Sequence, residues 1–435
     1  MEGSPPKNTL GFWATAAIGI GGMVGGGVFA VFGIAAVIAK GGVPIAFLVA
    51  GLIALLTSYS YAKLSLRFPS SGGTVTFMNE AFGSGVLSGG FNLLLCLSYI
   101  IMLAVYAHAF ANYALEFFPK ADPVIWGYVI RSGVVVLLTL LNALSPQFVV
   151  KSELWTDLAK ILLLLFFIAA GLESVDVRRL SPTTWPPLFE MLAGGMTLFL
   201  CYEGFELIAN ASKEVRNPRK NLPRAFYSSI VFVILLYLAI SIVVMGNLPL
   251  TEIEKNSGSV LAESAKPFLG DFGFTLIAIT ALLAAGSAIN ATLYGSAQIT
   301  SLLARRGQLL QELEPTRHHR PVAGLLLMSA LTLLAANFLN LASVSTLGSA
   351  GFLLIFAAVN GANFRLRGET RSRKYLPLLG MLACLSALIL MLSFAWKQSP
   401  HHVWELIGML GLVFLFEAIY QKISGRRRLA RESPH

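Results

Sequence analysis

Charge is scarce in this chain. Only 12% of its 435 residues are Asp, Glu, Lys or Arg, against about 25% in a soluble domain. A large water-facing globule is therefore excluded. Cysteine is nearly absent: Cys96, Cys201 and Cys384 are the three present, each inside an apolar stretch. They read as small buried hydrophobes, and no disulfide framework is expected. Six histidines show no metal-ligand spacing on a helix face. No Gly-x-x-x-x-Gly-Lys-Ser/Thr loop occurs, so no cofactor or bound ATP is expected. The N-terminus also lacks the pattern of a cleavable signal peptide.

What the chain has is hydrophobic length: 56% of its residues are hydrophobic and the mean hydropathy is +0.72. Stretches of about 18 or more apolar residues recur, each able to cross a bilayer. About twelve spans are expected, at Phe12–Ile38, Val43–Arg67, Val86–Phe117, Val124–Ala143, Glu153–Glu173, Leu188–Ala211, Pro223–Gly246, Phe272–Leu303, Val322–Phe338, Ser343–Phe364, Leu376–Trp396 and Val403–Tyr420. The segment Ser70–Gly83 fits a short interfacial helix. The chain thus reads as an all-α membrane protein with the lipid bilayer as its partner.

The net charge of +10 does not point to nucleic acid, because the basic residues lie between spans. Lys213, Arg216, Arg219, Lys220 and Arg224 follow span 6. Arg305, Arg306, Arg317 and Arg320 follow span 8, and Arg365, Arg367, Arg371, Arg373 and Lys374 follow span 10. The tail adds Lys422, Arg426, Arg427, Arg428 and Arg431, while the loop after span 7 is acidic. By the positive-inside rule both termini face the cytoplasm. Arg131 is expected to snorkel to the outer interface, and His108 to be satisfied by a neighbour. His318 and His319 read as solvated surface, and Glu417 as lying near the inner interface.

Two spans carry interruptions. In span 1, Gly19, Gly21, Gly22, Gly25, Gly26 and Gly27 fall within nine positions, which predicts unwound backbone. Such backbone survives at membrane depth only where it lines a cavity or is buried in protein. In span 6, Glu203, Gly204 and Glu206 stand where an ordinary span is apolar. The offset of five spans is what an inverted repeat of five helices produces, with a ligand between the breaks. Half-helix N-termini suit a carboxylate and freed carbonyls suit an ammonium, so an amino-acid zwitterion fits. A membrane enzyme would need converging histidines or a Ser/His pair, and only His108 is clearly intramembrane. A channel would need a continuous polar path, whereas the polar residues cluster at two breaks.

These residues carry a resemblance. GMVGGGVF (Gly22–Phe29) resembles the Gly-x-(Ile/Met/Val)-Gly-Ser-Gly-(Ile/Val)-Phe motif of the amino acid–polyamine–organocation transporter superfamily. The run YEGFELIANASKEVRNPRKNLPRA resembles its second signature, and the likeness spans residues 11–421. It is closest to the prokaryotic proton-coupled branch, whose fifth helix carries a lysine where Lys160 stands. The resemblance implies a LeuT-like five-plus-five inverted repeat with helices 1 and 6 unwound, plus two C-terminal helices. The units would be a tail at 1–10, repeats at 11–173 and 188–364 around an outer loop at 174–187, helices 11 and 12 within 365–421, and a basic tail at 422–435. A prokaryotic cell membrane, protons as the co-substrate and a monomer sufficient for transport are implied as well.

The same resemblance places substrate at Gly25, Gly26 and Gly27 with Met23 beside them, and at the helix-6 carbonyls of Phe199, Cys201 and Tyr202. Tyr202 would be an aromatic gate. Gly26 stands where many members have serine. Lys160, an ammonium that costs roughly 2.5–3.5 kcal/mol at a helix centre, would bond carbonyls such as Gly21 and a hydroxyl such as Ser287, exchanging its proton as the carrier rocks. The competing reading pins Lys160 structurally, or lets it snorkel past Asp157 and Glu153. Glu206 is expected to gate or bridge helices. Glu203 has three readings: recognition of a cationic side chain, a second protonatable group, or a structural pair. Asn290, on a polar span 8 with Ser287, reads as a bundle hydrogen bond or a substrate contact. The expected activity is proton-coupled symport of neutral amino acids. The alternative is exchange, or carriage of cationic amino acids or polyamines, through Glu203.

Overall fold

The computed structural model describes residues 9–118, 120, 122–144, 146–313 and 321–423. Arg317, Arg320, His318, His319 and the tail arginines lie outside the described residues. In chain order the helices are α1 (Phe12–Met23), α2 (Gly27–Ala39), α3 (Val43–Arg67), α4 (Gly73–Phe82), α5 (Val86–Leu115), α6 (Pro123–Leu144), α7 (Pro146–Gly171), α8 (Leu188–Gly195) and α9 (Leu207–Asn210). They continue with α10 (Pro218–Asn247), α11 (Leu250–Lys255), α12 (Val260–Glu263), α13 (Lys266–Arg305), α14 (Val322–Phe338), α15 (Leu341–Arg365), α16 (Arg367–Thr370), α17 (Tyr375–Gln398) and α18 (Pro400–Ile423). Among the described residues, nine helical segments are long and apolar enough to cross a membrane. Helices satisfy their own backbone groups, which is why such a sequence adopts them in lipid. Within Ser70–Gly83, where a short helix is expected, α4 forms at Gly73–Phe82.

Burial sorts centre from rim. The most apolar window of α5 is 89% buried and that of the segment Leu188–Asn210 likewise, whereas α6 and α18 reach 22%. α5 and the broken segment therefore sit inside, and α6 and α18 turn most of their surface outward. Polar side chains join the inner helices: Ser60 donates to Asn360 Oδ1 at 2.6 Å, and Asn360 donates to Thr57 at 3.0 Å, linking α3 to α15. In a bilayer such bonds and close packing hold helices together, because lipid offers no hydrophobic drive.

Both expected interruptions are present, with different limits. α1 ends at Met23 and α2 begins at Gly27, so the break is confined to Val24–Gly26. Gly19, Gly21 and Gly22 are helical, contrary to the expectation of unwinding there. Their lack of a side chain serves close approach instead: a Cβ on Gly19 would sit 2.6 Å from Ile208 Cδ1, and one on Gly22 2.8 Å from Gly204 O. In the second interrupted span, α8 passes into a 3-10 stretch at Met196–Tyr202. Glu203 is then extended (ψ 145°) and Gly204 has φ +114° before α9 begins. That span is thus distorted from Met196, about two turns ahead of its glutamates.

Other limits shift for local reasons. α10 starts at Pro218, not Pro223, because proline suits the first helical turn, where its missing N–H is not needed. α13 runs for 40 residues, but Gly270 (φ 62°) kinks it near the expected start. The Arg131 guanidinium reaches back one turn toward the Pro123 end of α6, donating to Gly127 O at 3.0 Å and to His108 Nδ1 at 3.0 Å. His108 also meets Leu339 O at 3.1 Å, which suits the Nε2–H tautomer. Glu417, expected near an interface, is fully buried and packs on Gly89. All three cysteines are free and buried.

Gly204 offers a direct check of the break. A Cβ there would lie 2.3 Å from Gly22 C, on top of strain of about 1–3 kcal/mol for the positive φ. Gly204→Ala should lower the melting temperature of the purified protein clearly, while Gly295→Ala, with nothing within 4 Å of its Cβ position, should leave it nearly unchanged.

Candidate functional site

The two breaks meet. Gly22 of α1 and Gly204 of the second break are in backbone contact, so the end of α1 abuts the extended turn ahead of α9. An α-helix leaves its last four carbonyls and first four amides without internal partners. At the start of α2 the first amide satisfied by the helix is Ala30 N, bonded to Gly26 O at 3.0 Å. The amides of Gly26, Gly27, Val28 and Phe29 lie ahead of it, at the positive end of the helix dipole.

Tyr237 of α10 ties the breaks together. Its hydroxyl donates to Met23 O at 2.7 Å and approaches Cys201 O at 3.3 Å. One buried O–H thus serves the final carbonyl of α1 and a carbonyl of the 3-10 stretch. Tyr106 of α5 closes the other side: its hydroxyl donates to Glu203 Oε2 at 3.2 Å and lies 3.6 Å from the Cβ position of Gly25. A Cβ on Gly26 would be 2.9 Å from Tyr106 Cδ1 and 3.0 Å from Ala285 Cα. That crowding accounts for glycine where relatives of the motif have serine. Tyr106 and Tyr237 were not singled out from the sequence, although a tyrosine at mid-span needs a partner for its polar tip.

Glu203 and Glu206 are both buried, at 4% and 1% exposure. Glu206 accepts the Gly204 N–H at 2.8 Å and the Tyr99 hydroxyl at 3.4 Å, so it helps to hold the turn. Neither glutamate is in an ion pair among the described residues; the pairs there are Arg67–Glu369, Lys160–Asp157, Arg179–Asp176 and Lys266–Glu263.

Lys160 of α7 meets α1 at Gly21, the residue before Gly22. It is 1% exposed, donates to Gly21 O at 3.2 Å and pairs with Asp157 Oδ1 at 2.6 Å. No hydrogen bond joins it to Ser287 among the described residues, and Ser287 is half-buried on α13. Asn290 accepts from Asn142 at 2.8 Å, a bond between α13 and α6. Phe199 packs on Phe356 of α15 at 5.7 Å. Tyr202 is anchored by its hydroxyl to Phe47 O at 2.9 Å, with its ring 5.5 Å from Tyr237. The structure therefore brings together Gly25, Gly26, Gly27, Met23, Cys201 and Glu203, with Tyr202 packed beside them on Tyr237. Lys160 and Gly21 form a second cluster, Asn290 and Phe199 meet Asn142 and Phe356, and Ser287 joins neither cluster through a hydrogen bond among the described residues.

Removing the bridging hydroxyl tests this geometry. Tyr237→Phe keeps the ring and strands two buried carbonyls, at a cost of about 1–3 kcal/mol. Thermal unfolding of the purified variant should show a loss larger than that for Tyr202→Phe, which frees a single carbonyl.

Comparison with known proteins gives the family. The family profile described as amino acid permease matches residues 10–416. An uncharacterized protein of Methanocaldococcus jannaschii is 34% identical over 418 residues, covering 96% of each chain. The inner membrane transport protein YbaT of Escherichia coli is 31% identical over 424 residues, covering 97% of this chain and 98% of its own. The branched-chain amino acid permease BcaP of Bacillus subtilis is 25% identical over 452 residues, covering 96% and 95%.

Proposed function

We propose that this chain, which belongs to the amino acid permease family within the amino acid–polyamine–organocation superfamily, is a proton-coupled symporter of neutral amino acids. The family is one of multi-pass membrane transporters, not enzymes. The observation that carries the reading is the meeting of the two helix breaks, where freed amides of α2 lie beside the carbonyls of Met23 and Cys201. Amides take the carboxylate of the substrate and carbonyls take its ammonium. The Tyr237 hydroxyl already donates to those carbonyls, so it shares them with, or yields them to, the incoming ammonium. A neutral side chain is supported by the name of the Bacillus relative.

In this reading the chain has twelve transmembrane helices in a LeuT-like five-plus-five repeat with two helices added, and alternating access moves the broken elements against the rest. Both termini face the cytoplasm and a monomer suffices. α1 with α2 is helix 1; α8, the 3-10 stretch and α9 are helix 6; α7 is helix 5. Lys160 carries the proton, because its ammonium bonds the Gly21 carbonyl of the broken helix and so senses where that helix lies.

Glu203 supports a second reading. Its carboxyl is buried, lacks an ion-pair partner among the described residues and is joined through Tyr106 to the Gly25 break. It could receive a cationic side chain, which would make the protein a carrier of cationic amino acids or polyamines, or an exchanger.

Reconstitution in liposomes with a panel of labelled amino acids, with and without an imposed pH gradient, tests the proposal. Wild-type protein should accumulate neutral amino acids only with the gradient. Lys160→Ala should abolish that accumulation while eluting as a folded monodisperse species, and accumulation at the wild-type level in this variant would refute the proton role of Lys160. Glu203→Gln should leave neutral uptake within about twofold; a selective loss of lysine and arginine uptake in this variant would establish the second reading.

A further inference from the structure

Asp157 has no role in the reading above, yet it holds the only side chain ion-paired with Lys160 among the described residues. It sits one helical turn from Lys160 on α7, toward Pro146, and its side chain is 17% exposed where that of Lys160 is 1%. Its other oxygen presses on α1: a Cβ on Gly21 would lie 2.1 Å from Asp157 Oδ2. Glycine at position 21 therefore admits the carboxylate to the same backbone unit whose carbonyl accepts from Lys160. One turn further along the same face stands Glu153, half-buried and within electrostatic reach of both Asp157 and Lys160. Trp155 and Leu158, on the opposite face, are exposed at 72% and 49%, as suits lipid.

Acid and base groups at this spacing, ordered from buried to exposed, form a path. The geometry points to Asp157 as the acceptor of the Lys160 proton, passing it toward water at the Pro146 end of α7 beside Glu153. This rests on the proton-coupled reading of Lys160. In the transfer the Nζ–H bond of Lys160 breaks and an O–H bond forms on Asp157 Oδ1, so the ion pair becomes a neutral amine beside a neutral acid. The two atoms are in ion-pair contact at 2.6 Å, while Oδ1 itself is enclosed by protein. The neutral carboxyl must therefore turn before the proton leaves: water meeting the exposed part of the Asp157 side chain then takes it and restores the carboxylate.

Among the described residues Glu153 is the other ionisable group that interacts with the pair. α1 carries no ionisable side chain. α6, α10 and α13 also pack on α7, and among the described residues none of them sends a charged group or tyrosine into a hydrogen bond or ion pair with Asp157 or Lys160. A purely structural pair would also explain the contact, so the test must separate transfer from anchoring.

The test uses full-length protein in liposomes loaded with a pH-sensitive dye, with a labelled amino acid that the wild type exchanges in the panel assay. Counterflow, which needs no net proton movement, reports substrate handling; the dye and gradient-driven accumulation report proton coupling. Asp157→Asn should keep counterflow within about twofold and reduce both proton readouts by at least about tenfold, with Asp157→Glu restoring part of the loss. Retention of gradient-driven accumulation by Asp157→Asn would overturn the inference. So would an equal loss of counterflow in a folded protein, which marks an anchor. A wild type that exchanges amino acid but shows no dye response in any condition defeats the proton reading of Lys160 itself, a result distinct from either.

Discussion

Backbone groups stripped of their helical partners at membrane depth are the constraint on which this structure turns. Each costs several kcal/mol if left in hydrocarbon, so a helix can be broken there only if other groups complete it. At the end of α1, Ile20 O is taken by Val24 N at 2.8 Å, Gly21 O by Lys160 at 3.2 Å and Met23 O by Tyr237 at 2.7 Å. Two of those three donors are side chains from other helices, α7 and α10. The break is thus held open by the bundle around it, and the central position of α5 and of the second broken segment follows from the same need.

The ionisable side chains around the breaks are compensated unequally. An isolated lysine costs roughly 2.5–3.5 kcal/mol or more at the centre of a span, and pairing with Asp157 at 2.6 Å offsets part of that. Glu206 has a backbone amide and a tyrosine hydroxyl. Glu203 accepts a tyrosine hydroxyl at 3.2 Å and interacts with the Glu206 carboxyl beside it. The structure therefore carries one ion-paired charge at Lys160 and two neighbouring buried carboxyls with no cation partner among the described residues, close to the Gly25 break. The proposal assigns Glu203 to substrate chemistry and Lys160 to the position of α1 on that difference.

Much of this was legible from residue order, and what was not has physical reasons. Hydrophobic length gave the helices, and Glu203–Gly204 and the glycine run marked both breaks. The run misled about extent, because glycine serves equally for unwinding and for close packing, and sequence alone does not say which backbone will approach. Gly19, Gly21 and Gly22 proved to be packing glycines. Tyr106 and Tyr237 were invisible as site residues, since a tyrosine in a span reads as core until the group opposite its hydroxyl is known. Asp157 was legible only as a neighbour of Lys160 on one helix face; that Gly21 receives both side chains depends on how α1 and α7 cross. The likeness to a carrier family placed Lys160 against helix 1, and the contact with Gly21 O is the observed form of that proximity.

The contact at Gly21 also explains how a proton could be felt by a moving helix. The Lys160 ammonium donates to a carbonyl of α1 and pairs with a carboxylate that presses on the same residue. A neutral amine keeps a weaker version of the first bond and loses the Coulombic part of the second, since its former partner is then a neutral acid. Charge on Lys160 and the seating of α1 against α7 therefore favour one another, and linkage makes the preference reciprocal. In the proposed mechanism, displacing α1 weakens both contacts of Lys160, and moving the proton to Asp157 loosens α1. Because Gly22 of the same helix rests on Gly204, a shift in α1 also reaches the second break. The proposal thus links proton position to the substrate site through one turn of helix, Ile20 to Met23, with no longer path required.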